Sequence, residues 1–152
     1  MKSDISRYSQ LLDAVKIRIR QAQVKATLSA NAEMILMYWD IGRIIAERQK
    51  SEGWGAGVIP RLSKDIRNEL PEVKGFSERN IGYMMRFARE YSMPLILHQP
   101  VAKIPWGHNL LLMQKIKDLP TRLWYIRQAI ENGWSRDVLG MMIKSEAHNR
   151  QG

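Results

Sequence analysis

Apolar residues recur at steps of three and four over the first third of the chain, and this spacing constrains the fold more than any other feature. Over residues 5–26 they occupy positions that share one side of an α-helix. A second stretch with the same period covers residues 29–50, where Gly42 would permit the close approach of another helix. We therefore expect a long helical hairpin over about residues 5–50, either folded back on itself or exchanged between two chains.

Shorter helices are predicted after this pair. One covers about residues 56–70, where Pro71 ends it, and another covers residues 77–91. Two helices joined by a short link that contains glycine are typical of a helix-turn-helix. Residues 56–92 are therefore expected to form a helix-turn-helix-like unit.

Carboxy-terminal helices are predicted over about residues 107–148. Asp118 and Ser135 are suitable N-cap residues for two of them, and Gly133 would end the helix between these caps. No useful stretch of the chain has the two-residue period of a half-buried strand. The expected fold class is all-α, a multi-helix domain.

The segment 93–104 has a different character. Pro94 and Pro100 enclose a short apolar run, and Pro105 follows it. Proline removes a backbone donor and disfavours helical backbone in the preceding residue. This segment is therefore expected to be extended or to form a small β-hairpin.

The helix over residues 77–91 has a well-defined start. Ser77 is a favoured N-cap, because its hydroxyl can accept a hydrogen bond from a backbone N–H of the first turn. Arg79 and Asn80 then fall in the first turn, the part of a recognition helix that contacts bases in the DNA major groove. A capped surface helix with scattered charges is the alternative interpretation.

The charge of the chain favours polyanionic partners. Its 152 residues carry 24 Lys and Arg against 15 Asp and Glu, a formal net charge of +9. Excess positive charge raises affinity for nucleic acid through phosphate contacts and counterion release.

Cysteine is absent, which excludes disulfides and cysteine-based zinc sites. With no signal-like or membrane-spanning run, a cytoplasmic setting and no membrane partner are expected.

The sequence offers little for catalysis. His98, His108 and His148 are far apart and have no carboxylates at helical ligand spacing. Glu72 and Lys74 match half of a restriction-type nuclease motif, but that motif needs carboxylates on adjacent strands, and here it lies between two predicted helices. We expect no catalytic residue, no metal site and no cofactor in this chain.

Three separated stretches resemble one known family. They are GWGAGVIPRLSKDIRNELPEVKGFSERNIGYMMRFA, VAKIPWGHNLLLMQKIKD and RLWYIRQAIENGWSRDVL, in that order. Together they resemble the amino-terminal domain of the YhcG family over nearly the whole chain. Members of that family are proposed nucleases in which this helical domain precedes a nuclease domain of PD-(D/E)XK type. The resemblance implies that residues 1–152 are the amino-terminal domain, that the nuclease domain is absent from this chain, and that the context is DNA processing.

The hypothesis from the sequence is a DNA-binding, targeting domain of a nuclease that is not itself catalytic. Arginine can bond guanine and asparagine can bond adenine in bidentate fashion, while other basic side chains would hold phosphates. The predicted DNA-binding residues are Arg61, Lys64, Arg67, Lys74, Ser77, Arg79, Asn80, Tyr83 and Arg86. A second contact is predicted at His108, Asn109 and Arg136, although capping and packing are the favoured roles of the first two.

The leading alternative is a protein-interaction module. In that interpretation, helices over residues 5–26 and 29–50 form a dimer interface that pairs two nuclease domains. Both functions are compatible, because symmetric dimers often read two DNA half-sites. The expected partners are therefore double-stranded DNA and a second copy of the chain, as a homodimer.

Overall fold

The computed structural model describes residues 2–53, 55, 57–98 and 100–151, and all regular structure within these ranges is helical. The predicted all-α class is confirmed. The elements in chain order are α1 (Lys2–Glu52), α2 (Val58–Glu69), α3 (Glu78–Glu90), α4 (Met93–His98), a 3₁₀ turn (Pro100–Lys103), α5 (Trp106–Lys115), α6 (Leu119–Asn132), α7 (Arg136–Lys144) and α8 (Ala147–Gln151).

The first element corrects one prediction. The hairpin over residues 5–50 is wrong, because α1 is a single helix of 51 residues. The proposed corner at residues 26–29 contains neither glycine nor proline, so nothing in the local sequence breaks the helix. At about 1.5 Å per residue, α1 is roughly 75 Å long.

The core lies where the second half of α1 packs against α3. Ile35 and Tyr38 of α1 are buried together with Ile81 and Met84 of α3. The closest approach is at Gly42, where an added Cβ would lie 2.0 Å from the carbonyl oxygen of Met84. The close helix–helix approach predicted for Gly42 is confirmed.

The segment 93–104 corrects a second prediction, because its described residues form α4 and the 3₁₀ turn instead of a β-hairpin. Gln99, between these two elements, lies outside the described residues. Pro94 falls in the first turn of α4, where a missing backbone N–H leaves no helical bond unmade. Val101 is buried, and the amide of Asn31 donates to the carbonyl oxygens of Ala102 (3.2 Å) and Ile104 (3.0 Å). These bonds hold the segment against α1.

The predicted starts of two carboxy-terminal helices are confirmed, but the last helix, predicted to reach about residue 148, ends at Lys144 and is followed by α8. A carboxylate oxygen of Asp118 accepts from the backbone N–H of Thr121 (3.0 Å), and the Ser135 hydroxyl accepts from that of Val138 (3.2 Å). Gly133 ends α6 with φ +66°, a left-handed conformation that favours glycine. These caps set the directions in which α6 and α7 leave their turns.

Candidate nucleic-acid interface

The first turn of α3 is anchored by its cap. The Ser77 hydroxyl accepts a hydrogen bond from the backbone N–H of Asn80 (3.1 Å), so the predicted cap is confirmed. Gly75 precedes it with φ +94°, and a Cβ there would lie 2.5 Å from the hydroxyl oxygen of Tyr38. This constrained turn sets where α3 begins, and the exposed Arg79 projects from its first turn.

A cleft of about 360 Å³ lies beside this turn, and we call it the Arg79 cleft. Side chains and backbone from α3, α5, α7 and the preceding turn line it. The lining residues are Gly75, Ser77, Arg79, Asn80, Tyr83, Leu110, Gln114 and Arg136. Among these described residues there are two arginines and no carboxylate, so the cleft suits an anionic ligand.

One wall of the Arg79 cleft joins α3 to α5. The side-chain amide of Gln114 donates to the Tyr83 hydroxyl oxygen (2.9 Å), and the Arg79 guanidinium lies 5.8 Å from the centre of the Tyr83 ring. Arg79, followed by Gln114, lowers the pKa of the Tyr83 hydroxyl. Tyr83 therefore presents a polarised hydroxyl beside a cation at the mouth of the cleft.

Another part of the cleft lining comes from α7. Arg136, the first residue of that helix, is exposed, and its side chain lies against Gly107 at the start of α5. A Cβ on Gly107 would be 3.6 Å from the Arg136 Cδ atom, an ordinary contact distance. Arg136, predicted as part of a second contact, therefore lies in the same cleft as Arg79.

Asn80, which also lines the cleft, holds the turn that precedes α3. Its side-chain nitrogen donates to the carbonyl oxygen of Gly75 (2.6 Å), and its side-chain oxygen accepts from the indole nitrogen of Trp106 (2.8 Å). A bidentate contact to adenine would need this same donor and acceptor. The geometry favours Asn80 as a residue that positions the first turn of α3, in place of the base-reading role predicted from sequence.

Comparison with known proteins shows the family to which this chain belongs. Residues 14–150 match the family model described as the DUF1016 N-terminal domain. The chain belongs to this family. It is also 26% identical, over 175 aligned residues, to "Putative nuclease YhcG" of Escherichia coli (strain K12), which confirms the resemblance to the YhcG family. That alignment covers 94% of this chain and 46% of the relative, so the chain spans about half the length of the curated relative it matches. No solved structure matches the chain significantly.

In this DUF1016 N-terminal domain, Arg86 is engaged away from the cleft lining. Its guanidinium donates to the carboxylate of Glu90 and to the carbonyl oxygen of Met113. Glu90 also pairs with Arg122 (2.5 Å), whose side chain is only 3% exposed. Burial raises the pKa of Glu90, but the two arginines outweigh it and the net shift is downward. We call Arg86, Glu90 and Arg122 the Glu90 cluster, and it ties α3 to α5 and α6.

His108 and Asn109, predicted as a second contact but favoured for capping and packing, are both buried. A ring nitrogen of His108 lies 2.9 Å from the carbonyl oxygen of Trp134, within hydrogen-bond distance. The Asn109 amide donates to the carbonyl oxygen of Val101 (3.3 Å). Their burial and these hydrogen bonds favour the packing role over a second contact with nucleic acid.

The predicted basic residues of α2 and of its link to α3 are exposed but do not line the cleft. Lys64 and Lys74 are exposed, on α2 and on the link to α3. The Arg61 guanidinium lies 3.8 Å from the carboxylate of Asp65, and Arg67 donates weakly to the carbonyl oxygen of Ser63 (3.4 Å). These four cations remain candidates for phosphate contacts beside the cleft.

Three lining residues, Gly75, Leu110 and Gln114, were missed by sequence reasoning. Gln114 and Leu110 reach the cleft only because α5 packs beside α3, and neither has a local sequence signal of such a role.

Within the described ranges, no group of three His, Asp or Glu side chains could hold a metal ion. Across the same ranges, the helices are too short or too polar to cross a bilayer.

Proposed function

We propose that this domain binds double-stranded DNA through the Arg79 cleft and directs a nuclease to it, without being catalytic itself. The observation that carries the proposal is the convergence of Arg79 and Arg136 from different helices in a cleft whose described lining has no carboxylate. The +9 charge of the chain and its similarity to a protein named as a nuclease support a nucleic-acid ligand over other anions.

The chemistry of the cleft suits a backbone phosphate. A guanidinium can donate two parallel hydrogen bonds to phosphate oxygens, so a phosphate between Arg79 and Arg136 would be held from both sides. The Tyr83 hydroxyl and the Gln114 amide can add hydrogen bonds to phosphate or sugar. A base contact by Arg79 remains a prediction from its place in the first turn of α3.

The helix-turn-helix-like role of α2 and α3 belongs to this proposal. In it, the exposed cations Arg61, Lys64, Arg67 and Lys74 hold neighbouring phosphates and set the orientation of α3 on the duplex. Asn80 has a positioning role instead, because its amide holds the turn from which Arg79 projects.

The proposal is tested by titrating the chain into a labelled short DNA duplex at several salt concentrations. With six phosphate contacts, from Arg79, Arg136 and the four cations of α2 and its link, affinity should fall roughly 10³-fold between about 50 and 200 mM salt. Magnesium should not lead to cleavage of the duplex. Absence of binding at the lowest salt concentration would contradict the proposal.

A second candidate function, homodimerisation, rests on a different observation. Residues 6–30 of α1 are exposed, and many of them are large and apolar. Exposed apolar surface of this extent is typical of protein interaction sites.

A cytoplasmic location also remains a prediction from the sequence.

A further inference from the structure

The first half of α1, residues 6–30, is an exposed helix that we call the arm. At about 1.5 Å per residue it is roughly 36 Å long. A helix without tertiary contacts is marginally stable in water, and the arm includes several β-branched residues that lower helix propensity. A packing partner would remove this weakness.

Most apolar residues of the arm form two sets, and Leu11 flanks the first of them. The first set, which we call the arm stripe, has the alternating steps of four and three of a coiled-coil seam. Its members are Tyr8, Leu12, Val15, Ile19, Ala22 and Ala26, all of them exposed. At 3.6 residues per turn, Ile17, Val24 and Leu28 lie on nearly the opposite side of the helix. Gln21 interrupts that second set, so only the arm stripe is a continuous seam.

We propose that the arm stripe packs antiparallel against the arm stripe of a second copy of this chain. The inference rests on the proposal of homodimerisation and adds the surface and the orientation. It places the interface on the arm, since Ile35, Tyr38 and Ile45 of the second half of α1 are buried in the core of their own chain. The DNA-binding proposal does not depend on it.

Charge favours the antiparallel arrangement. Residues 6–14 hold one arginine and one aspartate, whereas residues 15–30 hold four Lys and Arg and no acid. A parallel pair would place the two basic halves side by side, where like charges repel. An antiparallel pair places the overlapping part of each basic half beside the neutral half of the other arm.

The side chains of the arm stripe also have suitable shapes for this pairing. In the antiparallel register, Tyr8 faces Ile19 of the second copy and Leu12 faces its Val15, so a larger side chain meets a smaller one in each layer. In this register residues 8–19 of the two arms overlap and form four facing pairs, and Ala22 and Ala26 lie beyond the overlap.

Sedimentation equilibrium of the intact chain tests the interface. The wild-type chain, of 17.7 kDa, should sediment at twice that mass. Leu12→Asp with Ile19→Asp should raise the dimer dissociation constant at least about 100-fold, because carboxylates would be buried in the seam. The matched control is Ile17→Asp with Val24→Asp on the opposite side, which should leave the dimer intact. Leu12 and Ile19 are 42% and 52% exposed, and both control residues 58%, so accessibility is similar.

The possible outcomes distinguish homodimerisation itself from dimerisation through the arm stripe. A wild-type monomer at high concentration would overturn both homodimerisation and the arm interface. A dimer that survives the Leu12 and Ile19 substitutions, or one that the control pair disrupts equally, would overturn the arm stripe while leaving homodimerisation standing. Thermal melting of each variant shows that the body, which lies outside the arm, is still folded.

Introduced cysteines test the orientation, since the chain has no cysteine of its own. Oxidising a mixture of Tyr8→Cys and Ile19→Cys chains should cross-link one chain of each kind. Tyr8→Cys alone should cross-link poorly, because antiparallel arms place the two copies of residue 8 roughly 16 Å apart along the helix. Efficient cross-linking of Tyr8→Cys alone would overturn the antiparallel arrangement.

Discussion

The indole nitrogen of Trp106 donates a hydrogen bond to the side-chain oxygen of Asn80, 2.8 Å away, and thereby joins the start of α5 to the first turn of α3. The Trp106 ring also packs edge-on against Tyr38 and Phe87, with ring centres 4.9 and 5.1 Å apart. One amide therefore links the aromatic core to the turn that carries Arg79.

Replacing this amide should destabilise the fold. Asn80→Ala removes the partner of the Trp106 N–H and a donor to the Gly75 carbonyl, so we expect a loss of roughly 2–3 kcal/mol in the free energy of unfolding. Urea denaturation measures it. Ser77→Ala, which removes only the cap of the same turn, should lose about 1 kcal/mol. Equal stability of Asn80→Ala and the wild type would contradict the bracing role.

The contact between α1 and α3 at Gly42 gives a second prediction. Gly42→Ala should lose at least about 3 kcal/mol, because its Cβ would lie 2.0 Å from the Met84 carbonyl oxygen and the two helices would have to separate. Gly82→Ala on α3 is the control, since no atom lies within 4 Å of its added Cβ. There the substitution should stabilise the fold by about 0.5–1 kcal/mol. Thermal unfolding of both variants measures whether Gly42→Ala lowers the stability of the fold and Gly82→Ala raises it.

The Glu90 cluster predicts a dependence of stability on pH. The folded-state pKa of Glu90 is below its ordinary value, since Arg86 and Arg122 outweigh the effect of burial. A carboxyl with a lowered pKa contributes stability above its unfolded pKa of about 4.3 and loses it as pH falls through the folded value. The wild type should therefore lose stability below about pH 4, and Glu90→Gln should show a smaller loss over the same interval.

At neutral pH, the same substitution should lower stability by roughly 2–4 kcal/mol, because it leaves the buried Arg122 without a counter-charge. Glu47→Gln is the comparison, since it breaks an exposed pair with Arg43 (3.3 Å). That change should leave stability nearly unaltered. Denaturant titrations at several pH values measure both effects, and an equal response of the two variants would contradict the role of the cluster.

Local signals in the sequence predicted local structure well. The Ser77 cap and the Gly42 approach depend on neighbouring residues and on side-chain size, and both are confirmed. The hairpin prediction failed because periodicity describes the faces of a helix but not whether two helical stretches are collinear. The β-hairpin prediction failed because Pro94 falls in a first turn, where proline is compatible with helix.

The candidate site was predictable only in part. Arg79 and Tyr83 were indicated by their place on α3, whereas Gln114 reaches Tyr83 through the packing of α5. Arg86 and Asn80 lie on the same helix and have the chemistry of DNA contacts, but tertiary partners engage them internally. A single sequence does not distinguish a polar side chain that stabilises the fold through internal hydrogen bonds from one that is available to bind a ligand.

The most direct test of DNA binding at the Arg79 cleft is the salt dependence of duplex affinity for Arg79→Ala with Arg136→Ala. The control is Arg48→Ala with Arg89→Ala, which removes the same charge from exposed positions outside the cleft lining. If the cleft holds phosphates, the cleft variant should lower the slope of log affinity against log salt by roughly 2, and the control should leave it nearly unchanged. Equal slopes for the cleft variant and the wild type would contradict DNA binding at this site.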